Sequence, residues 1–337
     1  MPETLIVRLP NWLGDTVMAV PALAAARAAW PDARVLAAGP WAPLLAQQGL
    51  ADVLVDYPRK WSGRLRAADI VSTFAPDLAI VLPNSLESAL AAWYWGARRR
   101  VGFAAGGRSA LLTDAVPVPS PRRHQIDEYL MLVERGGATA TVGDRVLGAP
   151  ASDSAERLEA CRLLETAGAV ASPRIGVHLG AAYGPAKLWP VERVVDFCRL
   201  LAADRTPAIL LGAPGDVESA ATIIARAPAV SLVGRDRPAL LPALLSELDV
   251  LVSGDTGVAH LAAALGTPVV TLFGPTDPRL SAPRGRVAVL THPVPCAPCF
   301  YRTCPIEHPC LRDILAADVY AQIRMALRAA AVGEASL

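Results

Sequence analysis

Short aliphatic runs alternate along the chain with longer stretches of helical period. The runs are Leu5 to Leu9, Arg34 to Ala38, Leu78 to Leu82, Ile175 to Leu179, Ala208 to Leu211, Val230 to Val233, Val250 to Ser253 and Val269 to Phe273. This is the βαβ order of a parallel sheet. Between the runs, Val17, Val20, Ala24 and Ala28, or Val194, Phe197, Leu200 and Leu201, recur at helical spacing, so helices are expected on both sheet faces. The order breaks at Gly143 to Pro173, a Gly/Pro/Ala/Ser-rich passage with one helix expected from about Ser154 to Ala167. A new strand and another Gly-rich turn follow. The pattern predicts an α/β chain of two doubly wound Rossmann-like domains facing a cleft, residues 1–168 and 169–315. A last helix in 316–337 is expected to pack back on the N-terminal domain.

Composition narrows this reading. A chain of 337 residues with 53% apolar side chains suffices for two cores. Thirty-two Lys and Arg against 31 Asp and Glu leave a net charge of +1, so the bulk balance points to no polyanion such as nucleic acid. The run Leu5 to Leu9 has no basic leader, and no stretch approaches the roughly 18 to 20 apolar residues of a membrane span. A soluble, cytoplasmic protein is expected. Cys161 and Cys198 stand alone in helical patterns, as small buried hydrophobes do.

Chemistry concentrates where strands end. The first turn, Arg8-Leu9-Pro10-Asn11-Trp12-Leu13-Gly14-Asp15, leaves strand one for a helix, and its carboxylate reads equally as a helix cap or as a group at a ligand cleft. It has no G-x-G-x-x-G fingerprint, which counts against a dinucleotide site. The second half opens with Gly176 to Pro190, where Gly180 and Gly184 let backbone approach a ligand and Lys187 can reach a phosphate. Ser253-Gly254-Asp255-Thr256-Gly257-Val258-Ala259-His260 passes from a strand straight into an Ala-rich helix. The N–H groups of Thr256, Gly257 and Val258 would face a diphosphate there. His260, inside the helix, reads as a packed residue. No Asp-x-Asp pair exists to hold a metal-bridged diphosphate. Cys296, Cys299, Cys304 and Cys310 have a spacing that could hold a structural zinc, although three prolines stiffen a short span.

Asn11 to Asp15, Tyr183 to Pro190 and Asp255 to His260 together resemble the ADP-heptose:lipopolysaccharide heptosyltransferases, glycosyltransferase family 9, over nearly the whole chain. Val81 to Leu90, Gly102-Phe103 and Leu111 to Asp114 look like the heptosyltransferase II branch. The Cys296 to Cys310 segment looks like a tail found in many, not all, members, which argues against a catalytic role for it.

The resemblance implies a GT-B architecture and inverting transfer with no obligatory cofactor or metal. Its donor would be ADP-heptose and its acceptor a lipopolysaccharide inner core, Kdo-lipid A carrying a first heptose. Asp15 would be the catalytic base and Lys187 would stabilise the leaving diphosphate. Donor contacts would come from Gly14, Gly180, Tyr183, Lys187, Asp255, Thr256, Gly257, Val258 and His260, with Asp216 or Glu218 at the ribose. Acceptor contacts would come from Asn11, Trp12, Asn84, Ser85 and Arg122.

An anionic acceptor calls for cations, and Arg59, Lys60, Arg64 and Arg66, Arg98 to Arg100, and Arg122 with Arg123 are candidate patches. Trp61, Trp93, Tyr94 and Trp95 would suit shallow contact with a lipid surface, or else a core. Such a protein would work at the cytoplasmic face of the inner membrane of a Gram-negative bacterium. Competing readings are a related transferase with another heptose acceptor, a non-catalytic nucleotide-sugar binder, and a zinc-organised interaction protein.

Overall fold

A computed structural model of the chain describes residues 1–139, 147–170, 172–235 and 237–334. It divides into two compact units, Met1–Arg145 and Val146–Leu337. In the first, β1 (Thr4–Arg8), β2 (Arg34–Gly39), β3 (Val53–Asp56), β4 (Leu78–Val81), β5 (Arg99–Phe103) and β6 (Asp114–Val116) form one sheet in the order β3-β2-β1-β4-β5-β6. Every pairing is parallel. Helices α1 (Leu13–Met18), α2 (Val20–Ala29), α3 (Trp61–Ser72), α4 (Leu86–Tyr94) and α5 (Gln125–Gly136) connect or cover the strands. Ile6, Ala38, Val55, Val81 and Trp95 belong to one buried cluster, with Trp95 set edge-on to Tyr57 at 5.6 Å. The strand order reverses between β1 and β4, where Arg8 pairs in register with Val81, so their loops leave side by side at the ligand-binding edge of such sheets.

The second unit repeats the plan. Its strands are β7 (Ile175–His178), β8 (Ala208–Leu211), β9 (Ala229–Ser231), β10 (Val250–Gly254), β11 (Val269–Phe273) and β12 (Val287–Thr291), in the order β12-β11-β10-β7-β8-β9. All pairings are again parallel, and the order reverses between β7 and β10 with Ser253 in register with His178. Its helices are α6 (Ala155–Thr166), α7 (Val191–Ala203), α8 (Val217–Ile224), α9 (Leu241–Ser246), α10 (Gly257–Ala264), α11 (Pro278–Ser281), α12 (Pro309–Arg312) and α13 (Ala316–Glu334). Phe197, Ile223, Val252, Leu272, Val319 and Ile323 share one core.

Three expectations shift. The division falls before α6, not at residue 168, because α6 packs on α9 and Arg157 pairs with Glu247 at 2.5 Å. Part of the passage expected to break the order, residues 143–146 and 171, lies outside the described residues. The last helix, α13, packs on α7 and buries Val319 and Ile323 in the second core, so it belongs to that unit. Finally, β3, β5, β6 and β12 are not among the expected strands, although Val53 to Val55 and Val287 to Leu290 are apolar; β5 opens on Arg99-Arg100 and β6 on Asp114. Three of them are sheet edges, where burial on one side suffices.

Candidate functional site

The turn after β7 and the turn after β10 meet at the strand-order reversal of the second unit. Lys187, held in a short 3-10 turn, donates from Nζ to the Asp255 carboxylate and, at 3.1 Å, to the Asp255 backbone oxygen. Thr276 Oγ1 donates to the same carboxylate at 2.7 Å, and His260 Nε2 stands 4.0 Å from its other oxygen. Lys187 and Asp255 side chains are only 11% and 6% exposed, so this is a largely desolvated pair. His260 is buried, and its ring backs Asp255. Gly254 makes the approach possible, since a Cβ there would stand 2.6 Å from the Lys187 carbonyl oxygen.

Beside this pair, α10 starts with Thr256 as its N-cap in extended conformation and no side-chain cap. Its first N–H groups, Gly257 and Val258, therefore carry the positive end of the helix outward. Ser253 Oγ and Thr256 Oγ1 lie 2.9 Å apart and brace the turn. A cavity of about 20 Å³, room for one water, is lined by His178, Gly180, Lys187, Ser253 and Gly254. The His178 Nδ1 atom is buried without a partner among the described residues, and burial pushes this imidazole down to about 4. Asp216 lies against Gly180, where a Cβ would stand 2.5 Å from its Oδ2. The same oxygen accepts the Ala213 N–H at 2.8 Å, so Asp216 also fixes its own turn, whereas Glu218 is exposed in the first turn of α8.

The cysteine segment meets this site. Phe300 N–H donates to Pro275 O at 2.7 Å, Ala186 N–H donates to Arg302 O at 3.0 Å, and Tyr183 Oη donates to Phe300 O. The Tyr183 ring has two cations near it, Lys187 Nζ at 4.7 Å and the Arg302 guanidinium at 5.3 Å from its centroid. Gly184, at φ +149°, admits this contact, since a Cβ would stand 2.6 Å from Arg302 O. The segment thus props the lysine loop. Its four cysteines are free thiols, and among the described residues no group of three His, Cys, Asp or Glu side chains is arranged to hold a metal ion.

In the first unit, Trp12 is the N-cap of α1, so Asp15 is no cap; it stands in the first turn, where the helix dipole favours a carboxylate. Gly14 is buried in the same turn. Asp15 acts electrostatically on the buried Tyr129, whose phenol is pushed up first by burial and then by the Asp15 and Glu128 carboxylates. Trp12 is 37% exposed under the Arg59 guanidinium, 4.3 Å from its ring. Ser85 caps α4, accepting from Ser88 N at 3.3 Å. Arg122 makes a two-pronged bond to Glu128, both contacts 2.7 Å. Trp93 and Tyr94 are exposed while Trp95 is buried; the side chain of Trp61 is not among those described.

Sequence reasoning missed Arg8 and Arg108. Arg8 is fully buried, donating to Leu9 O and to Asn11 Oδ1 at 2.8 Å, with Glu87 at 3.8 Å and the Tyr57 ring at 4.7 Å. Arg108 is equally buried and donates to Phe103 O, Pro83 O, Ser88 Oγ and, at 3.1 Å, to Asn84 Oδ1. Burial lowers both guanidinium groups to about 10. A charged residue at a strand end gives no local sign of such burial. Composition does give a hint: Lys187 is one of two lysines among 32 basic residues, and Asn11 and Asn84 are the chain's two asparagines.

Two doubly wound parallel sheets in one chain, each with a strand-order reversal, make the architecture of GT-B-type glycosyltransferases. The family model of glycosyltransferase family 9 (heptosyltransferase) matches residues 71–309, and the chain belongs to that family. It is 28% identical over 303 residues to lipopolysaccharide heptosyltransferase 2 of Salmonella typhimurium strain LT2, covering 83% of this chain and 85% of that one. The Escherichia coli K12 enzyme of the same name is 26% identical over 295 residues, again 83% and 85%. The solved structure of E. coli ADP-heptose lps heptosyltransferase II shares the fold, with TM-score 0.78 at 24% identity over 96% of this chain and 98% of that one.

Proposed function

We propose that this glycosyltransferase moves heptose from ADP-heptose to the inner-core heptose of a lipopolysaccharide acceptor, with inversion at the anomeric carbon. The names of the relatives support the sugar and the acceptor class. The observation that carries the reading is Lys187, held by Asp255 beside the open first turn of α10. A cation and unpaired N–H groups at one strand end suit a leaving diphosphate without calling on a metal.

In this reading the second unit takes the donor. Lys187 and the N–H groups of Thr256 to Val258 meet the charge that grows on ADP as its bond to the anomeric carbon breaks. Tyr183, Gly180 and Asp255, with His260 behind it, shape the sugar-diphosphate site, and Asp216 rather than the exposed Glu218 takes the ribose. The first unit takes the acceptor: Asp15 accepts the proton of the attacking hydroxyl as the new bond forms on the opposite face. Asn11, Trp12, Asn84, Ser85 and Arg122 are assigned to the acceptor.

Purified protein is incubated with ADP-heptose and defined truncated cores, and ADP and glycosylated product are measured. Asp15→Ala should lower turnover about 10²-fold or more with donor affinity little changed. ADP release without any glycosylated acceptor would remove the transferase reading.

The exposed stripe Leu86, Leu90, Trp93 and Tyr94 on α4, with Leu65 and Ile70 on α3, supports peripheral contact with an anionic membrane, since Arg59, Lys60 and Arg66 are exposed near it in sequence. Trp93→Ser with Leu90→Ser should reduce co-flotation with vesicles containing anionic phospholipid. Equal flotation would exclude this surface.

A further inference from the structure

The two asparagines occupy equivalent stations. Asn11 lies three residues past Arg8 and Asn84 three past Val81, and Arg8 and Val81 are the registered pair at the adjoining ends of β1 and β4. Each asparagine gives its Oδ1 to a buried guanidinium, Asn11 to Arg8 and Asn84 to Arg108. A guanidinium has donors only, so it dictates the amide assignment: the oxygen faces the arginine and the Nδ2 hydrogens face away. Asn84 is exposed and Asn11 half-buried, and among the described residues no hydrogen bond takes up either NH2 group.

The loops are built to hold this arrangement. Gly106, at φ +60°, brings the loop after β5 so close that a Cβ would stand 2.7 Å from Asn84 O, and a Cβ on Gly102 would stand 3.1 Å from the Arg108 guanidinium. Charge accumulates behind the amides. Arg8 and Arg64 share the single Glu87 carboxylate at 3.8 and 3.4 Å, and Arg108 pairs with no carboxylate among the described residues. Arg8 and Arg108 themselves are fully buried, so a buried guanidinium stands behind each amide. Outward donors backed by buried cations select an oxyanion and disfavour a neutral donor group.

We propose that Asn11 and Asn84 form a donor-only subsite for an oxyanion of the acceptor, a carboxylate or a phosphate ester, with Arg8 and Arg108 as positioning residues that lock the amides donor-outward. The subsite rests on the acceptor assignment of the first unit made above. It also separates recognition of the acceptor's charge from the exposed arginine patches, which the sequence alone made the candidates.

Because the chain holds two asparagines, labelling with [15N]asparagine gives two side-chain NH2 signals, assigned with Asn84→Asp. The full-length protein is titrated with inorganic phosphate and, separately, with acetate. Both signals should shift saturably with at least one probe, and the responding probe distinguishes phosphate from carboxylate. Saturable movement of neither signal with either probe overturns the proposal. Arg108→Gln, which can accept from a flipped amide, should weaken the Asn84 response about fivefold or more and leave that of Asn11; Arg108→Lys should restore it. An unaltered Asn84 response in Arg108→Gln removes the positioning role.

The titration reads binding, so absence of heptosyl transfer with intact shifts would count against the proposed reaction alone. In turnover, Asn84→Asp keeps the side-chain size and gives Arg108 a carboxylate partner. It should raise the acceptor KM about tenfold or more, with the donor KM within about twofold. An unchanged acceptor KM would also overturn the subsite.

Discussion

Lys187→Met removes one charge from a pair that the fold has largely dried, and both stability and turnover should register it. The methionine fills the space of the alkyl stem. The Asp255 carboxylate, 6% exposed, is left with Thr276 Oγ1 at 2.7 Å and the His260 ring at 4.0 Å. Breaking one side of a buried pair costs about 3 to 5 kcal/mol, and the surviving Thr276 bond puts this case at the lower end, about 3 kcal/mol. For a unit of this size each kcal/mol moves Tm by about 2 to 4 °C, so the variant should melt roughly 6 to 12 °C lower. Lys187→Met with Asp255→Asn removes both charges, and should lie within about 1 kcal/mol of the parent. The single variant should also lose about 10²- to 10³-fold in kcat, because the same ammonium is proposed to meet the leaving diphosphate. Calorimetry and urea unfolding of the four members of the cycle measure the coupling. A single variant less than 1 kcal/mol destabilised, or a double variant no better than the worse single one, would refute the buried-pair argument.

Two further perturbations test the same end of the molecule. His178 titrates at about 4 in the fold against an ordinary 6.5, so the unfolded chain binds the extra proton between those values. Its stabilising contribution is complete above pH 6.5 and is lost as pH falls to about 4, up to about 3 kcal/mol. Tm measured across that window should fall less steeply in His178→Gln; identical slopes would mean that another group controls the acid response. Gly184→Ala sets a Cβ against the Arg302 backbone and should shift the Lys187 loop, raising the donor KM severalfold while the acceptor KM holds. Parent-like donor kinetics would show that the cysteine segment does not position the loop.

Local pattern was enough to find the central strands and the turns that follow them. Val250 to Val252 is apolar at every position and the polar turn Gly254 to Thr256 follows at once, so strand, ligand edge and helix start can be read in one stretch. Among the edge strands, β6 escaped because Asp114-Ala115-Val116 makes no apolar run, while β3 and β12 are apolar over Val53 to Val55 and Val287 to Leu290 and only their place at the sheet edges needed the structure. The division of the chain escaped for another reason. Helix α6 looks alike wherever it packs, and its place was decided by Arg157 finding Glu247, 90 residues away.

The chemistry proposed at the strand ends divides in the same manner. Asp15, Lys187 and Asp255 are candidates because of the turns that carry them, but the union of Lys187 with Asp255 spans 68 residues and exists only once β7 and β10 lie side by side. The support that Arg302 and Phe300 give to the lysine loop is likewise invisible in a cysteine spacing that suggested zinc. Arg8 and Arg108 look like ordinary charges in the sequence. Parallel pairing of β1 with β4 buries the first, and the close loop at Gly106 brings in the second. Sequence therefore determined which residues this protein has to spend at its strand ends. Burial and the direction of each polar group depend on neighbours far away in the chain, and those only the tertiary structure decided.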